Sequence, residues 1–320
     1  MRFNQLSKEE QEKLLREAET RIKPKVWDEQ RKFVKAEVKE EYEQAQRELK
    51  KLRAEHLAKI RVKSEFEQEL REEYGTFFFT NYDEVIKLFY NDGKFDGALA
   101  FKFMYLCSYS DYEGNLNWGN EYRGAYRGNM RGKDLEEVLG LTRANAHIVK
   151  KKLIALGALI EKEDNTLTVS KKLCIRGKLI GTNKQDSSRV FDDYIKELYV
   201  NSNVREHTRL GRFLLLLPYI NVNHNVLCFN TAEKNPYKVQ VLTIQDITTI
   251  MGSDVSHARR TQNDLLKSTV GGEPIFGIFH LWGSETFVVN PRVFYKGNDS
   301  DCLEPIANLF KMGRGVLAGI

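Results

Sequence analysis

Cysteine and proline are scarce in this 320-residue chain, with four of the first and six of the second. Cys107, Cys174, Cys228 and Cys302 lie far apart and form no Cys-x-x-Cys pair. That spacing argues against a zinc site or a disulfide framework and fits reduced thiols in a cytoplasmic protein. Long apolar runs are missing too. Phe213-Leu-Leu-Leu-Leu217 stops at Pro218, whereas a membrane span needs roughly 18 apolar residues. The N-terminus is polar, with Leu6-Ser-Lys-Glu-Glu10 and no apolar stretch behind it, which is not the pattern of a secretory leader. Phosphate-cradling Gly-rich loops, a His-x-x-x-His pair and a Gly-x-Ser-x-Gly elbow do not occur. The expectation is a non-enzymatic protein with no cofactor, no metal and no membrane association.

The stretch Asp134–Leu156 carries the clearest pattern. Leu135, Val138 and Leu139 form the inward side of a short helix that stops at Gly140, where a turn needs unusual backbone angles. Thr142 can cap a second helix. Ala146, Val149, Leu153 and Leu156 share one face of it, leaving Arg143, Asn145, His147, Lys150 and Lys151 outside or on its flanks. A helix-turn-helix presents such residues to base edges in a major groove. The segment 157–161 reads as a strand, 162–165 as a turn and 166–170 as the return strand, which is a small wing.

The pattern occurs twice. Asp246-Ile-Thr-Thr-Ile-Met-Gly252 repeats Asp134-Leu-Glu-Glu-Val-Leu-Gly140, and Ala258 and Leu265 sit where Ala146 and Leu153 sit. Tyr82–Tyr90 parallels Phe191–Tyr199, and Lys102-Phe103 parallels Arg212-Phe213. The reading is therefore mainly α with small β wings: two tandem winged-helix domains behind a long helical arm. Boundaries fall at 1–75 for the arm, 76–178 for the first domain and 179–190 for a Gly/Thr/Asn/Ser linker. The second domain covers 191–298, and a C-terminal tail covers 299–320.

The arm is rich in Glu, Lys, Arg and Gln, and its only break is Pro24. Behind it runs a stripe of Val34, Val38, Tyr42, Ala45, Leu49, Leu52, His56, Ile60, Phe66 and Leu70, in part with coiled-coil spacing. Residues 25–74 are thus a candidate surface for a homodimer or a protein partner.

Charge adds direction. The chain has 50 basic and 45 acidic residues, a net charge of +5. From Tyr122 to Lys178 there are 13 Lys/Arg against 6 Asp/Glu, whereas Val241–Asn298 has five of each. The first repeat is the better candidate for phosphate contacts. Arg123, Arg127 and Arg131 recur every four residues in a Gly/Tyr loop that enters the helix-turn-helix. These arginines and Lys162, Lys171 and Lys172 around the wing are candidate backbone contacts, and the Arg176–Lys178 run follows. His257, Arg259 and Arg260 are the corresponding candidates on the second reading helix.

Each repeat closes with a Val-Asn/Ser-x-x-x-x-x-Lys/Arg-Gly element, Val169–Gly177 and Val289–Gly297. With the tandem helix-turn-helix pattern over about 80–298, the chain resembles plasmid replication initiators and winged-helix DNA-binding proteins of Firmicute phages. The resemblance implies binding of repeated origin sites, with the second winged helix often dominating base reading. The resulting expectation is a sequence-specific double-stranded DNA-binding protein of a mobile element. A transcription regulator is favoured over a replication initiator, and a protein-interaction adaptor docking on a polymerase or replisome is the rival class.

Overall fold

The computed structural model describes residues 36–119, 128–177, 179, 186–281, 283–297 and 300–317. It divides into two compact units, Met1–Glu69 and Leu70–Ile320. Helix α1, Ala36–Tyr74, holds the described part of the arm. Of the stripe, Leu49 and Phe66 are buried and His56 is exposed. The stripe upstream of residue 36 lies outside the described residues. Gly75 ends the helix at φ +82°, a conformation that costs glycine little.

The unit Leu70–Ile320 opens with β1 (Phe77–Asn81), α2 (Tyr82–Phe89), β2 (Tyr90–Asn91), β3 (Lys94–Phe95) and α3 (Gly97–Cys107). It continues with α4 (Leu135–Leu139), α5 (Arg143–Ala155), β4 (Leu159–Glu161), β5 (Leu167–Val169) and β6 (Cys174–Ile175). The second repeat then runs β7 (Ser187–Phe191), α6 (Asp192–Asn201), α7 (Val204–Arg212), α8 (Ile244–Ile250) and α9 (Ala258–Lys267). It ends in β8 (Thr269–Val270), β9 (Glu273–Pro274), β10 (Phe276–Leu281), β11 (Ser284–Val289), β12 (Phe294–Tyr295) and α10 (Ser300–Leu317).

This architecture corrects the mainly-α reading. The unit is mixed α/β, with a four-stranded antiparallel sheet in the order β12-β7-β1-β6 and four two-stranded sheets besides. The four-stranded sheet joins the repeats, so they are not two independent winged-helix domains. Residues 187–190, inside the expected linker, belong to β7, a central strand of this sheet. The reason is physical. These strands are two to five residues long and buried on both sides, so they show no alternation of apolar and polar residues. Their partners lie 94 to 114 positions away in the sequence.

The pairing register has internal two-fold symmetry. The strands Phe77–Asn81 and Ser187–Phe191 and the helix starts Tyr82 and Asp192 match one residue away from the sequence parallel of Tyr82 with Phe191. In that alignment Phe79 of β1 pairs with Arg189 of β7, its own equivalent in the repeat. Outward from that axis, Phe79↔Ile175 and Thr80↔Cys174 on one side match Arg189↔Tyr295 and Val190↔Phe294 on the other. The helices obey the same relation. Gly97 and Gly211 bring α3 and α7 so close that a Cβ on either would strike the other's backbone. Beside this crossing lies the Phe101–His207 ring contact, centroids 5.3 Å apart. Burial holds the His207 imidazole down to about 4, and the Lys102 ammonium adds to the effect. One continuous core runs from Phe78 through Leu106, Leu153 and Leu217 to Phe294.

Each repeat clasps the other through the basic residue of its closing element. The Arg176 guanidinium donates to both carboxylate oxygens of Asp192, at 2.7 and 2.9 Å, and both side chains are nearly buried. Lys296 occupies the equivalent place and donates to the Tyr82 hydroxyl at 2.9 Å and the Leu217 carbonyl at 3.4 Å. Arg176 is therefore an internal clasp and not the surface phosphate contact that its place after the wing suggests. The C-terminal tail forms the helix α10, and its Phe310 meets Phe279 at 5.7 Å.

Arg176→Ala would leave Asp192 buried without its cation, and we expect a loss of about 3–5 kcal/mol in denaturant unfolding. Arg176→Met with Asp192→Asn should recover much of it. Burial also pulls the Lys296 ammonium down to about 8. Between that value and the ordinary lysine range the unfolded chain binds the proton and the folded chain does not, so stability rises with pH over that window. Lys296→Met should flatten this rise in melts taken at pH 7.5, 9 and 10.

Candidate nucleic-acid interface

Two short helices and a hairpin position the first candidate interface. The Arg131 backbone N–H donates to the Asp134 carboxylate at 2.7 Å and sets the turn into α4. Gly140 then adopts φ +58°. The Thr142 hydroxyl accepts the Asn145 N–H at 3.4 Å and starts α5. Ala146 and Leu153 are buried, with Val149 and Ile154 packed against the core. The opposite face exposes Arg143, Asn145, His147, Lys151 and Ile148. Among the described residues, Arg143, His147 and Lys151 have no ion-pair or hydrogen-bond partner for their side chains. A depression of about 1290 Å³ opens between α4 and α5, with Arg143, His147 and Lys150 facing the acidic Asp134, Glu136 and Glu137.

Two predicted contacts are already engaged. The Lys150 ammonium bridges both oxygens of Glu161 on β4, at 2.9 and 3.1 Å. Lys162, at the hairpin turn, donates to the Asn115 side chain at 2.5 Å. The wing itself pairs Leu159↔Val169, Ile160↔Thr168 and Glu161↔Leu167. Asp164 caps its turn through the Thr166 N–H and hydroxyl, at 3.0 and 2.7 Å, which holds the Asp164 carboxyl below the usual range. Arg131 bridges Thr166 through its backbone and keeps an exposed side chain at the base of the wing. Lys171 and Lys172 are exposed on the turn that follows. Arg123 and Arg127 lie outside the described residues.

The second interface has the same order of parts. Thr243 and Asp246 form a reciprocal cap on α8, with Thr243 N–H donating at 2.9 Å and Asp246 N–H at 3.2 Å. Gly252 turns at φ +70°, and Asp254 caps a single tight turn, Val255–His257, ahead of α9. His257, Arg259 and Arg260 are exposed. The hairpin β10–β11 is longer than its counterpart, with six residue pairs from Phe276↔Val289 to Leu281↔Ser284.

Sequence reasoning missed Arg205, Arg209 and Arg212. They lie on α7, outside the helix-turn-helix window, and yet line a depression beside α9. Their 4- and 3-residue spacing was the available signal.

Scans against family models, curated proteins and solved structures find no match for this chain. No described helix is long and apolar enough to cross a membrane. Among the described residues no group of three His, Cys, Asp or Glu is placed to hold a metal ion.

Thr142 serves as a cap before any contact it makes with a ligand. Thr142→Ala should cost about 1 kcal/mol in thermal unfolding, and Thr142→Ser should restore most of it. An unchanged melting curve for the alanine variant would remove the capping role.

Proposed function

We propose that this chain is a non-enzymatic, sequence-specific binder of double-stranded DNA that serves a mobile element, as a transcription regulator rather than as a replication initiator. The observation that carries the reading is the outer face of α5. Arg143, Asn145, His147 and Lys151 are exposed there on a helix whose start is fixed by a turn and a cap. Arg143 and Asn145 stand in its first turn, where a recognition helix meets base edges. Arginine pairs with two acceptors of guanine, and asparagine with adenine. Ile148, half-exposed on the same helix, suits a thymine methyl group. Lys171, Lys172 and Arg131 are exposed after and at the base of the wing and supply charge for the phosphates.

The two-fold relation between the repeats bears on the choice of role. It is shown by the strand register, and the halves of a symmetric DNA-binding dimer are related by a two-fold axis as well. That suits one inverted site better than a row of direct repeats. Residues 25–74 remain a candidate surface for self-association or a protein partner, which would place two such chains on longer sites.

The test is binding to a selected cognate duplex and to random duplex. Arg143→Ala should lower cognate affinity by roughly 10–100-fold and leave random affinity nearly unchanged. Lys171→Ala with Lys172→Ala should weaken both alike and reduce the salt slope by about 1–2. Equal losses on both duplexes from Arg143→Ala would remove its base-reading role, and selected sites that are direct repeats would favour the initiator.

A further inference from the structure

The second repeat looks neutral when charge is counted along Val241–Asn298, but its folded surface is not. A groove of about 460 Å³ lies between α7 and α9, lined by Arg205, Arg209 and Arg212 of α7 with His257 and Arg260 beside them. Its two acids, Glu206 and Asp264, are both bound by Arg209, at 3.2 and 3.3 Å. Arg205, Arg212 and Arg260 therefore have no ion pair among the described residues. Arg205 and Arg260 are exposed and Arg212 is half-buried.

Three guanidiniums sharing one groove repel one another unless an anion enters, and the planar donor fork of arginine matches phosphate oxygens. The groove is not a by-product of the repeated fold. The positions equivalent to Arg205, Arg209 and Arg212 in the first repeat are Phe95, Leu99 and Lys102, and Lys102 is buried. The first repeat carries its cations after the wing, at Lys171 and Lys172. The second carries them on the helix behind its reading helix.

We propose that this groove seats consecutive phosphates of duplex DNA next to α9, so that the second repeat holds the DNA backbone. The inference rests on the DNA-binding reading above. Its ligand chemistry, a phosphate with at least two free oxygens in reach, is shared with small phosphorylated molecules, and the test separates the two sources.

The full chain and its Arg205→Gln, Arg212→Gln, Arg260→Gln triple variant are titrated onto random duplex DNA between 50 and 200 mM salt. Each phosphate contact adds about 0.9 to the slope of log affinity against log salt. The variant slope should be shallower by about 2–3, so that wild type loses roughly 40-fold more affinity across this range. Arg205→Gln alone, at an exposed position, should lower the slope by about 1 and guards against a folding defect in the triple variant. Wild-type binding with an unchanged slope in both variants overturns the groove and leaves the DNA reading standing. No duplex binding by wild type overturns both. Inorganic pyrophosphate is the second probe. If it raises the melting temperature of wild type but not of the triple variant, while the DNA slopes agree, the groove takes a free phosphorylated molecule and the DNA assignment is overturned.

Discussion

The antiparallel pairing of β1 with β7 is the constraint on which the rest of the unit depends. A strand from each repeat contributes to one ladder, Phe77↔Phe191 through Asn81↔Ser187, and every later element inherits its orientation from that register. Because Phe79 faces its own equivalent, Arg189, a one-residue slip would break the symmetry of both flanking pairs at once. It would also turn buried side chains to the wrong face. Arg189 is held under the rings of Phe77, Phe79 and Tyr295, so a cation sits at the centre of the sheet with aromatic faces around it.

The clasps follow from the same arrangement. Arg176 reaches Asp192 and Lys296 reaches Tyr82, each from one repeat to the start of the first helix of the other. The two positions are equivalent, but their chemistry differs. A bidentate ion pair suits a buried arginine, whereas the lysine meets a neutral hydroxyl and two carbonyls, and burial weighs against its charge. The closing element that marks both repeats in the sequence thus works in assembly. The surface beyond it is free to differ, with a short wing and exposed lysines in one repeat and a long hairpin and a groove of arginines in the other.

Local features were legible in the sequence where they rest on few, neighbouring residues. Gly140 and Thr142 punctuate a helix pair, the face of Ala146 and Leu153 turns inward, and the match of Asp246–Gly252 to Asp134–Gly140 gives the duplication. What was not legible depends on residues far apart. Thr76–Thr80 reads as a short apolar run, a strand or a plug into the core, and only Ser187–Phe191 beside it decides for a strand, while two-residue strands such as Cys174–Ile175 carry no period. Lys150 and Lys162 read as free cations because Glu161 and Asn115 come from other elements. The α7 arginines line a groove with α9, a helix some 50 residues away in the sequence, so charge counted in windows along the chain could not bring them together.

A sheet shared in this way has a consequence for the history of the chain. Half of it, from Phe77 to Ile175, ends in an unpaired β1 edge whose natural complement is another copy of the same strand. A protein of that length could complete its sheet as a two-chain assembly, with Phe79 facing Phe79 across the axis. Joining two such genes end to end would convert that contact into an internal one and fix the stoichiometry at one of each half. From then on either half could change its surface without having to remain compatible with itself.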